Sequence, residues 1–388
     1  MKDEIKQRIQ AVLRFLSGEK PESICASMGR SRSWLYKWIS RYDEKNSSWC
    51  ENRPTVLSHA TNRTPLEIEE ITKMIRLNLY NQDLFCGAQA ILWELEDLGI
   101  KPLPSLRTIN RILSRNELTH RRTGKYEPKG TPYPKLPAFL PNQTHQMDMV
   151  GPCYLTGPIR FYGLNTIDAA TARCGLHSSP SKSGEDILDG TWAIWTRLGI
   201  PDNLQVDNAL SFFGSPKYPR ATSQFIRLCL HHGVELWFVP MSEPWRNGLI
   251  EQFNDHYQQK FLNKVIMTTA EELRVGTLAF EQRHNSKYRY SKLGGKTPLK
   301  ALAATQAQLR FPNHEEVPRQ RLEKPEVGRY HLVRLIRSDL KLNIFGEQFS
   351  VPPELKLEYV VATIDVKEQR LKLFLDKTQV DEFAYRMR

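Results

Sequence analysis

Residues 241–253, MSEPWRNGLIEQF, follow a predicted strand, VELWFVP, and open a predicted helix, and they contain two glutamates, Glu243 and Glu251. Asn247 and Gly248 supply a tight turn that aims the helix. Glu251 lies in the first helical turn, away from the apolar stripe, where the helix dipole favours its ionised form. Glu243 precedes a proline, which favours extended backbone in a loop. The stripe itself consists of Ile250, Phe253, Tyr257 and Phe261. The sequence therefore favours Glu251 as the functional acid.

The chain around this stretch changes from helical to strand periodicity at about residue 143. QTHQMDMV, PIRFYGLNTI and TARCGLHS predict three consecutive strands. DNLQVDNAL and VELWFVP predict two more, with helices between them and after them. The order β-β-β-α-β-α-β-α is typical of an α/β domain with a mixed sheet, which we predict over residues 142–265.

Two aspartates in this region occupy positions that suggest a functional role. Asp148 lies in the middle of a predicted core strand, where a charge is costly unless it is paired or bound to metal. Asp207 ends a strand, at the edge where sites of α/β domains usually lie. With Glu251 they predict an all-oxygen site suited to Mg²⁺ or Mn²⁺. Two other acids, Asp168 and Asp202, are predicted to be structural or on the surface.

The regions on either side of the α/β domain have different patterns. Two sets of three helices, each with a short turn before the last helix, predict helix-turn-helix modules. In the second set the helices are expected at about 65–80, 87–98 and 105–117. After residue 327 the chain alternates with a period of two, which predicts short strands and a small β-barrel. The predicted parts are residues 1–48 and 62–122 (helix-turn-helix), 123–141 (basic, proline-rich linker), 142–265 (α/β domain), 266–326 (helical, then linker-like) and 327–388 (β-barrel).

The charge of the chain favours a polyanionic partner. The net charge is +12, with 55 Lys and Arg against 43 Asp and Glu, and an excess of this sign suits DNA or RNA. Basic and polar residues cluster at the start of each third helix and in the linker, where they would contact bases or phosphates. The candidate DNA contacts are Arg30, Ser31, Arg32, Ser33, Lys37, Arg107, Thr108, Asn110, Arg111, Arg115, Arg121, Arg122 and Lys125.

Several classes of protein do not suit this sequence. The six cysteines show no C-x-x-C spacing, so neither a disulfide framework nor a zinc knuckle is indicated. The first residues, MKDEIKQRIQ, have no apolar core for a signal peptide. No run of about 18 apolar residues suggests a membrane span. We expect a cytoplasmic protein, associated with the bacterial nucleoid.

Residues 142–262 resemble the catalytic core of DDE transposases and retroviral integrases, the ribonuclease-H-like superfamily. The first motif is His145-x-x-Asp148, the second Asp207-Asn208, and the third Pro244-x-x-Asn247-Gly248-x-x-Glu251. The helix-turn-helix modules and a Phe-Ser-Val-Pro stretch at 349–352 extend the likeness to bacterial insertion-sequence transposases.

This resemblance implies cleavage of DNA 3′ ends at terminal inverted repeats and strand transfer into target DNA. It implies two Mg²⁺ or Mn²⁺ ions held by Asp148, Asp207 and Glu251, and a homo-oligomer on DNA. An accessory ATPase is a partner that the sequence neither requires nor excludes. The residues expected near the DNA end are Asn208, Arg246, Asn247, Asp255 and Gln258.

The sequence departs from the family pattern in two places. Glu243 leaves 35 residues after Asp207, the spacing common in the family, whereas Glu251 leaves 43. Ala209 follows Asp207-Asn208 where the family often has glycine. These departures keep one alternative open, a catalytically inactive or domesticated DNA-binding regulator. A ribonuclease-H-like nuclease without joining activity is a second alternative, which would explain the core but not the two DNA-reading modules.

Overall fold

The structure is a computed structural model, and it divides the chain into two compact units, Met1–Thr64 and Pro65–Arg388. The described residues are 2–52, 64–119, 133–156, 159–214, 217–218, 220–241, 243–313 and 321–388. No helix in the described part of the chain has the length and apolarity that crossing a membrane requires.

The first unit is a three-helix bundle. Its helices are α1 (Lys2–Leu16), α2 (Pro21–Met28) and α3 (Arg32–Ile39). Ala11, Ile24 and Leu35 form its core, one from each helix. Gly29 turns the chain between α2 and α3 with a φ of 61°, a left-handed conformation that glycine adopts without strain. The predicted N-terminal helix-turn-helix fold is confirmed.

The second unit begins with another set of three helices. They are α4 (Leu66–Asn81), α5 (Ala88–Asp97) and α6 (Leu106–Arg115). Ser105 caps α6 by accepting a hydrogen bond from the Thr108 amide. Ile91, Leu95 and Ile109 are completely buried between the helices. All three helices lie where their periodicity predicts them.

The centre of the second unit is a nine-stranded mixed sheet. Its first five strands are β1 (Thr144–Tyr154), β2 (Arg160–Asp168), β3 (Cys174–Ser179), β4 (Asn203–Val206) and β5 (Glu235–Phe238). Helices α7 (Gly184–Leu198), α8 (Leu210–Phe213) and α9 (Gln224–His231) belong to one face, and α10 (Gly248–Tyr257) and α11 (Ala270–Lys287) to the other. A short helix, α12 (Pro298–Ala303), follows. Strand β1 pairs antiparallel with β2 and parallel with β4, which confirms the predicted mixed α/β core.

In the described part of the chain, four C-terminal strands extend this sheet, and the separate small β-barrel that we predicted is not confirmed. The four are β6 (Arg329–Leu335), β9 (Tyr359–Asp365), β10 (Arg370–Leu375) and β11 (Thr378–Ala384). Strands β7 (Lys341–Ile344) and β8 (Glu347–Ser350) pair with each other in a separate two-stranded sheet. Strand β6 pairs in parallel with β5, and the sheet order is β11-β10-β9-β6-β5-β4-β1-β2-β3. Leu236, Leu332 and Ile364 share one apolar core. A period of two identifies strands, but it does not say which strand a given edge will pair with.

Removal of the C-terminal strands should therefore unfold the part of the sheet that contains β1 to β5. We expect a fragment of residues 65–326 to lose cooperative thermal unfolding, because the edge of β5 and the core around Leu236 would be exposed to water. Calorimetry of this fragment beside residues 65–388 is the measurement. An independent barrel would instead leave the shorter fragment with the same transition temperature.

Candidate functional site

Asp148 lies on β1 opposite Asn165 of β2, on the face of the sheet that α10 covers. Its Oδ1 accepts a hydrogen bond from the Met149 amide, and its Oδ2 accepts one from Asn254 Nδ2, both at 2.8 Å. Asn165 Nδ2 in turn donates to Asn254 Oδ1 at 2.8 Å. The amide of Asn254 is thus held from one side while it holds the carboxylate on the other.

Amide side chains also hold the start of α10 on the sheet. Gln146 Oε1 accepts a hydrogen bond from the Ile250 amide at 3.1 Å, which satisfies one of the free N–H groups at the helix start. Gln205 Nε2 donates to Asn247 Oδ1 at 3.2 Å, and Asn247 Nδ2 donates to the Met147 carbonyl at 3.3 Å. Gln146 and Gln205 are register partners on neighbouring parallel strands. The first turn of α10, which carries Glu251, is therefore fixed above β1 and β4.

The charges of Asp207 and Glu251 both act on Asp148. Burial raises the pKa of Asp148, and the nearby carboxylates of Asp207 and Glu251 raise it further, to about 6, against the hydrogen bonds from Met149 and Asn254. Burial also raises the pKa of Asp207, although its hydrogen bond from the Ala209 amide, at 3.0 Å, opposes the shift. Asp148 thus lies close enough to Asp207 and to Glu251 for each of their charges to oppose its ionisation.

The expected effect of the helix dipole on Glu251 is wrong in direction. The pKa of Glu251 is raised, first by partial burial and then by the charge of Asp255, one turn further along α10. A dipole effect near an exposed helix end is small, and desolvation together with a like charge outweighs it here.

Glu243, the other glutamate of the opening stretch, has different partners. Tyr359 Oη on β9 lies 2.7 Å from each of its carboxylate oxygens, and Arg246 Nε donates to Oε2 at 2.9 Å. The Arg246 guanidinium also lies over the ring of Tyr133, 4.4 Å from its centroid. Glu243 and Arg246 therefore connect the loop before α10 to the C-terminal strands.

The donor atoms of the three acids suit a hard divalent cation. Within the described ranges, no three or more His, Cys, Asp or Glu side chains are grouped so that together they could hold a metal ion. A site built from pairs of carboxylates does not need such a group, and oxygen ligands are those that Mg²⁺ and Mn²⁺ prefer. A cation between Asp148 and either neighbour would also offset the repulsion that raises the pKa of Asp148.

Most of the residues expected at the DNA end have structural partners. Asn208 donates to the Val239 carbonyl at 2.5 Å and accepts from Arg334 Nη2, on β6, at 3.0 Å. Asn247 is buried, whereas Gln258 and Asp255 are exposed. Sequence reasoning missed Asn165, Asn254 and Arg334. The only available signal was the position of Asn254, three residues after Glu251 on the same helix.

Two segments of the chain match known families. Residues 2–47 match the homeodomain-like domain and residues 232–298 match the integrase core domain. The matches confirm the predicted likeness to integrase-type proteins with a helix-turn-helix module.

Solved structures similar to this chain include two of the HTLV-2 integrase catalytic core domain and one of a simian T-cell lymphotropic virus intasome. The HTLV-2 integrase catalytic core domain in complex with magnesium, in its trimeric form, is 15% identical, with a TM-score of 0.34, and the match covers 42% of this chain and 99% of that one. Its dimeric form is 16% identical, with a TM-score of 0.32 and coverages of 43% and 99%. The simian T-cell lymphotropic virus intasome with the PP2A regulatory subunit B56 gamma is 13% identical, with a TM-score of 0.38 and coverages of 75% and 88%.

In the homeodomain-like module, several expected DNA contacts have partners within the module. Ser31 caps α3 by accepting from the Trp34 amide at 3.2 Å. Arg32 forms an ion pair with Glu22, and Arg30 donates to Gln7 at 3.0 Å. The two remaining candidates, Ser33 and Lys37, are exposed.

On α6, the candidates separate into two groups. Arg107 and Arg111 are exposed. Asn110 donates to the Leu106 carbonyl at 2.9 Å. Arg115 binds both carboxylate oxygens of the buried Glu69, at 3.1 and 2.5 Å. Arg121, Arg122 and Lys125 lie outside the described residues.

The raised pKa of Asp148 predicts that Asp148→Asn stabilises the metal-free protein at neutral pH. The folded state disfavours the charged form of Asp148, so ionisation of this side chain lowers the free energy of unfolding. This loss of stability is absent below pH 3.8, grows up to about pH 6 and is complete above it. We expect a gain of up to about 3 kcal/mol in the free energy of unfolding. Urea titrations with chelator at acidic and neutral pH measure it.

Asp189→Asn, at an exposed acid on α7, is the matched control. A gain for Asp148→Asn that is equal at both pH values, or no gain at all, would contradict the role of desolvation and repulsion.

The arginines of α6 should separate binding from stability. Arg111→Ala should weaken duplex binding and make its salt dependence shallower by about one phosphate contact, with an unchanged melting temperature. Arg115→Ala should instead cost about 2 kcal/mol of stability, because Glu69 loses its main partner. Binding at several salt concentrations and thermal melts distinguish the two, and the opposite pattern would reverse the assignment.

Proposed function

We propose that this protein is a DNA transposase that binds the terminal inverted repeats of a mobile element, cleaves their 3′ ends and joins them to target DNA. The observation that carries the proposal is the action of the Asp207 and Glu251 charges on Asp148. It occurs in a chain that also carries an integrase core domain and a homeodomain-like domain.

In this proposal Asp148 and Asp207 would hold one Mg²⁺ or Mn²⁺ ion, and Glu251 would complete the site of a second. Two such ions would supply charge stabilisation for in-line displacement at a phosphodiester, first by water and then by the freed 3′-hydroxyl. Asn254 keeps one carboxylate oxygen of Asp148 in a fixed direction, and Asn165 keeps Asn254 in place. The chain thus pre-orients its ligands before DNA binds.

In this proposal the two helix-turn-helix modules bind the substrate DNA. α3 and α6 would each enter a major groove of the element end, with Lys37, Arg107 and Arg111 as exposed contacts. Joining two ends to one target requires both to be present together, so we propose a homo-oligomer on DNA.

The alternative of an inactive regulator is not favoured. Ala209 has a φ of −62°, which needs no glycine, and its amide donates to Asp207. Glu243 has the spacing that is common in the family, but its carboxylate oxygens already bond to Tyr359 and Arg246. Glu251 is therefore the glutamate left for the site, in spite of its longer spacing. Neither departure therefore argues against catalysis.

The test is strand transfer of a duplex selected from a randomised pool by binding to this protein. Asp148→Asn, Asp207→Asn and Glu251→Gln should each lower Mg²⁺-dependent transfer by at least about 100-fold, because each removes charge stabilisation at the reacting phosphate. Duplex binding should persist in all three.

Glu243→Gln is the matched control. It should keep transfer within a few-fold and lower the melting temperature, since it weakens the contacts to Arg246 and Tyr359. Transfer by Asp148→Asn would refute the proposal. Loss of transfer in Glu243→Gln but not in Glu251→Gln would exchange the roles of the two glutamates.

A further inference from the structure

The α4–α6 module packs directly against the helix that carries Glu251. Phe85, in the loop between α4 and α5, has its ring centroid 4.9 Å from that of His256, in the last turn of α10. The same ring lies 5.0 Å from Tyr288 and 5.4 Å from Tyr290, which follow α11. One aromatic side chain of the module thus contacts both α10 and the segment that follows α11.

Polar contacts strengthen the same junction. Tyr288 is completely buried, and its hydroxyl donates to the Asp83 carbonyl at 2.6 Å. Lys264 pairs with the Asp83 carboxylate. Arg289 donates to Asp97 at the end of α5 at 2.7 Å. Because buried aromatic area and satisfied hydrogen bonds occur together here, we expect the contacts of this junction to break cooperatively.

A second contact leaves no space for a side chain at Gly295. Gly295 lies against Trp93 of α5 with a φ of 81°, and a Cβ at this position would come within 2.6 Å of the indole. The close approach of this loop to α5 depends on a residue without a side chain. The module therefore contacts the core at two separate places, Phe85 and Trp93.

The DNA-facing helix of the module belongs to the same packed interior. Ile109 and Leu113 of α6 pack in one cluster with Leu95 of α5 and with Tyr288. Tyr288 also contacts His256, with centroids 4.9 Å apart. A continuous path of packed side chains thus connects α6 to α10, which the amides of Gln146 and Asn247 hold at its other end.

We infer that the α4–α6 module and α10 form one body that fixes the distance between the base pairs held by α6 and the phosphate that is cut beside Glu251. This inference rests on the proposed function. It means that the position of the cut lies at a fixed distance from the base pairs bound by α6, because a closely packed interior has low compressibility and keeps that distance constant. A flexible connection at this point would let the position of the cut vary.

Phe85→Ala in the full-length protein tests the inference, with Leu98→Ala as the matched control. Leu98 lies at the end of α5 and is 62% exposed, so its truncation leaves the junction intact. Two readouts are needed: hydrogen exchange of the α10 amides with and without the selected duplex, and the lengths of the cut products.

We expect the duplex to slow exchange of α10 in the parent and in Leu98→Ala, and to leave it unchanged in Phe85→Ala. Phe85→Ala should bind the duplex within about twofold of the parent, transfer it about tenfold more slowly, and give products of several lengths instead of one. Tyr288→Phe, which removes only the hydroxyl bond to Asp83, should shift both readouts in the same direction by less. It keeps the test decisive if Phe85→Ala does not fold.

Two outcomes would overturn the inference. One is duplex-induced protection of α10 that persists in both junction variants. The other is a single product length from Phe85→Ala. A parent protein that cuts no DNA would defeat the proposed function instead, and the exchange readout would still decide whether the module and α10 behave as one body.

Discussion

The attachment of α10 to the sheet through amide side chains is the constraint on which the candidate site depends. Gln146 and Gln205 are register partners on parallel strands, so their side chains meet the start of the helix together. Each such bond contributes only about 1 kcal/mol. Their main effect is on geometry. A helix that is fixed at its first turn holds Glu251 and Asn254 in defined positions relative to Asp148.

The site also depends on the C-terminal strands, which lie outside residues 232–298, the segment that matches the integrase core domain. Arg334, on β6, is buried and donates to Asn208 and to the Val239 carbonyl. Burial lowers the pKa of its guanidinium to about 10. The turn that carries Asp207 is therefore held by a C-terminal strand, and the sheet extension supports the site as well as the fold.

Local patterns were enough to predict most of the elements, and long-range contacts account for what was missed. The stripe of Ile250, Phe253 and Tyr257 is buried, as its spacing predicts. The pairing of β6 with β5, and of Glu243 with Tyr359, joins residues about a hundred positions apart in sequence. The roles of Asp148, Asp207 and Glu251 remain predictions, and the pKa of Glu251 shows that an isolated helix-dipole argument fails once burial and Asp255 are present.

The electrostatics of Asp148 make the arrangement costly for folding, which supports the catalytic role that we propose for it. A folded chain gains nothing from placing a buried carboxylate near two others, since repulsion and desolvation both oppose folding. Natural sequences break local rules of this kind mainly at functional sites. Asn254 and the Met149 amide reduce the cost without removing it, because they leave Asp148 with a pKa of about 6. What remains uncompensated is negative charge, and a divalent cation with the phosphate it binds is the partner that would balance it.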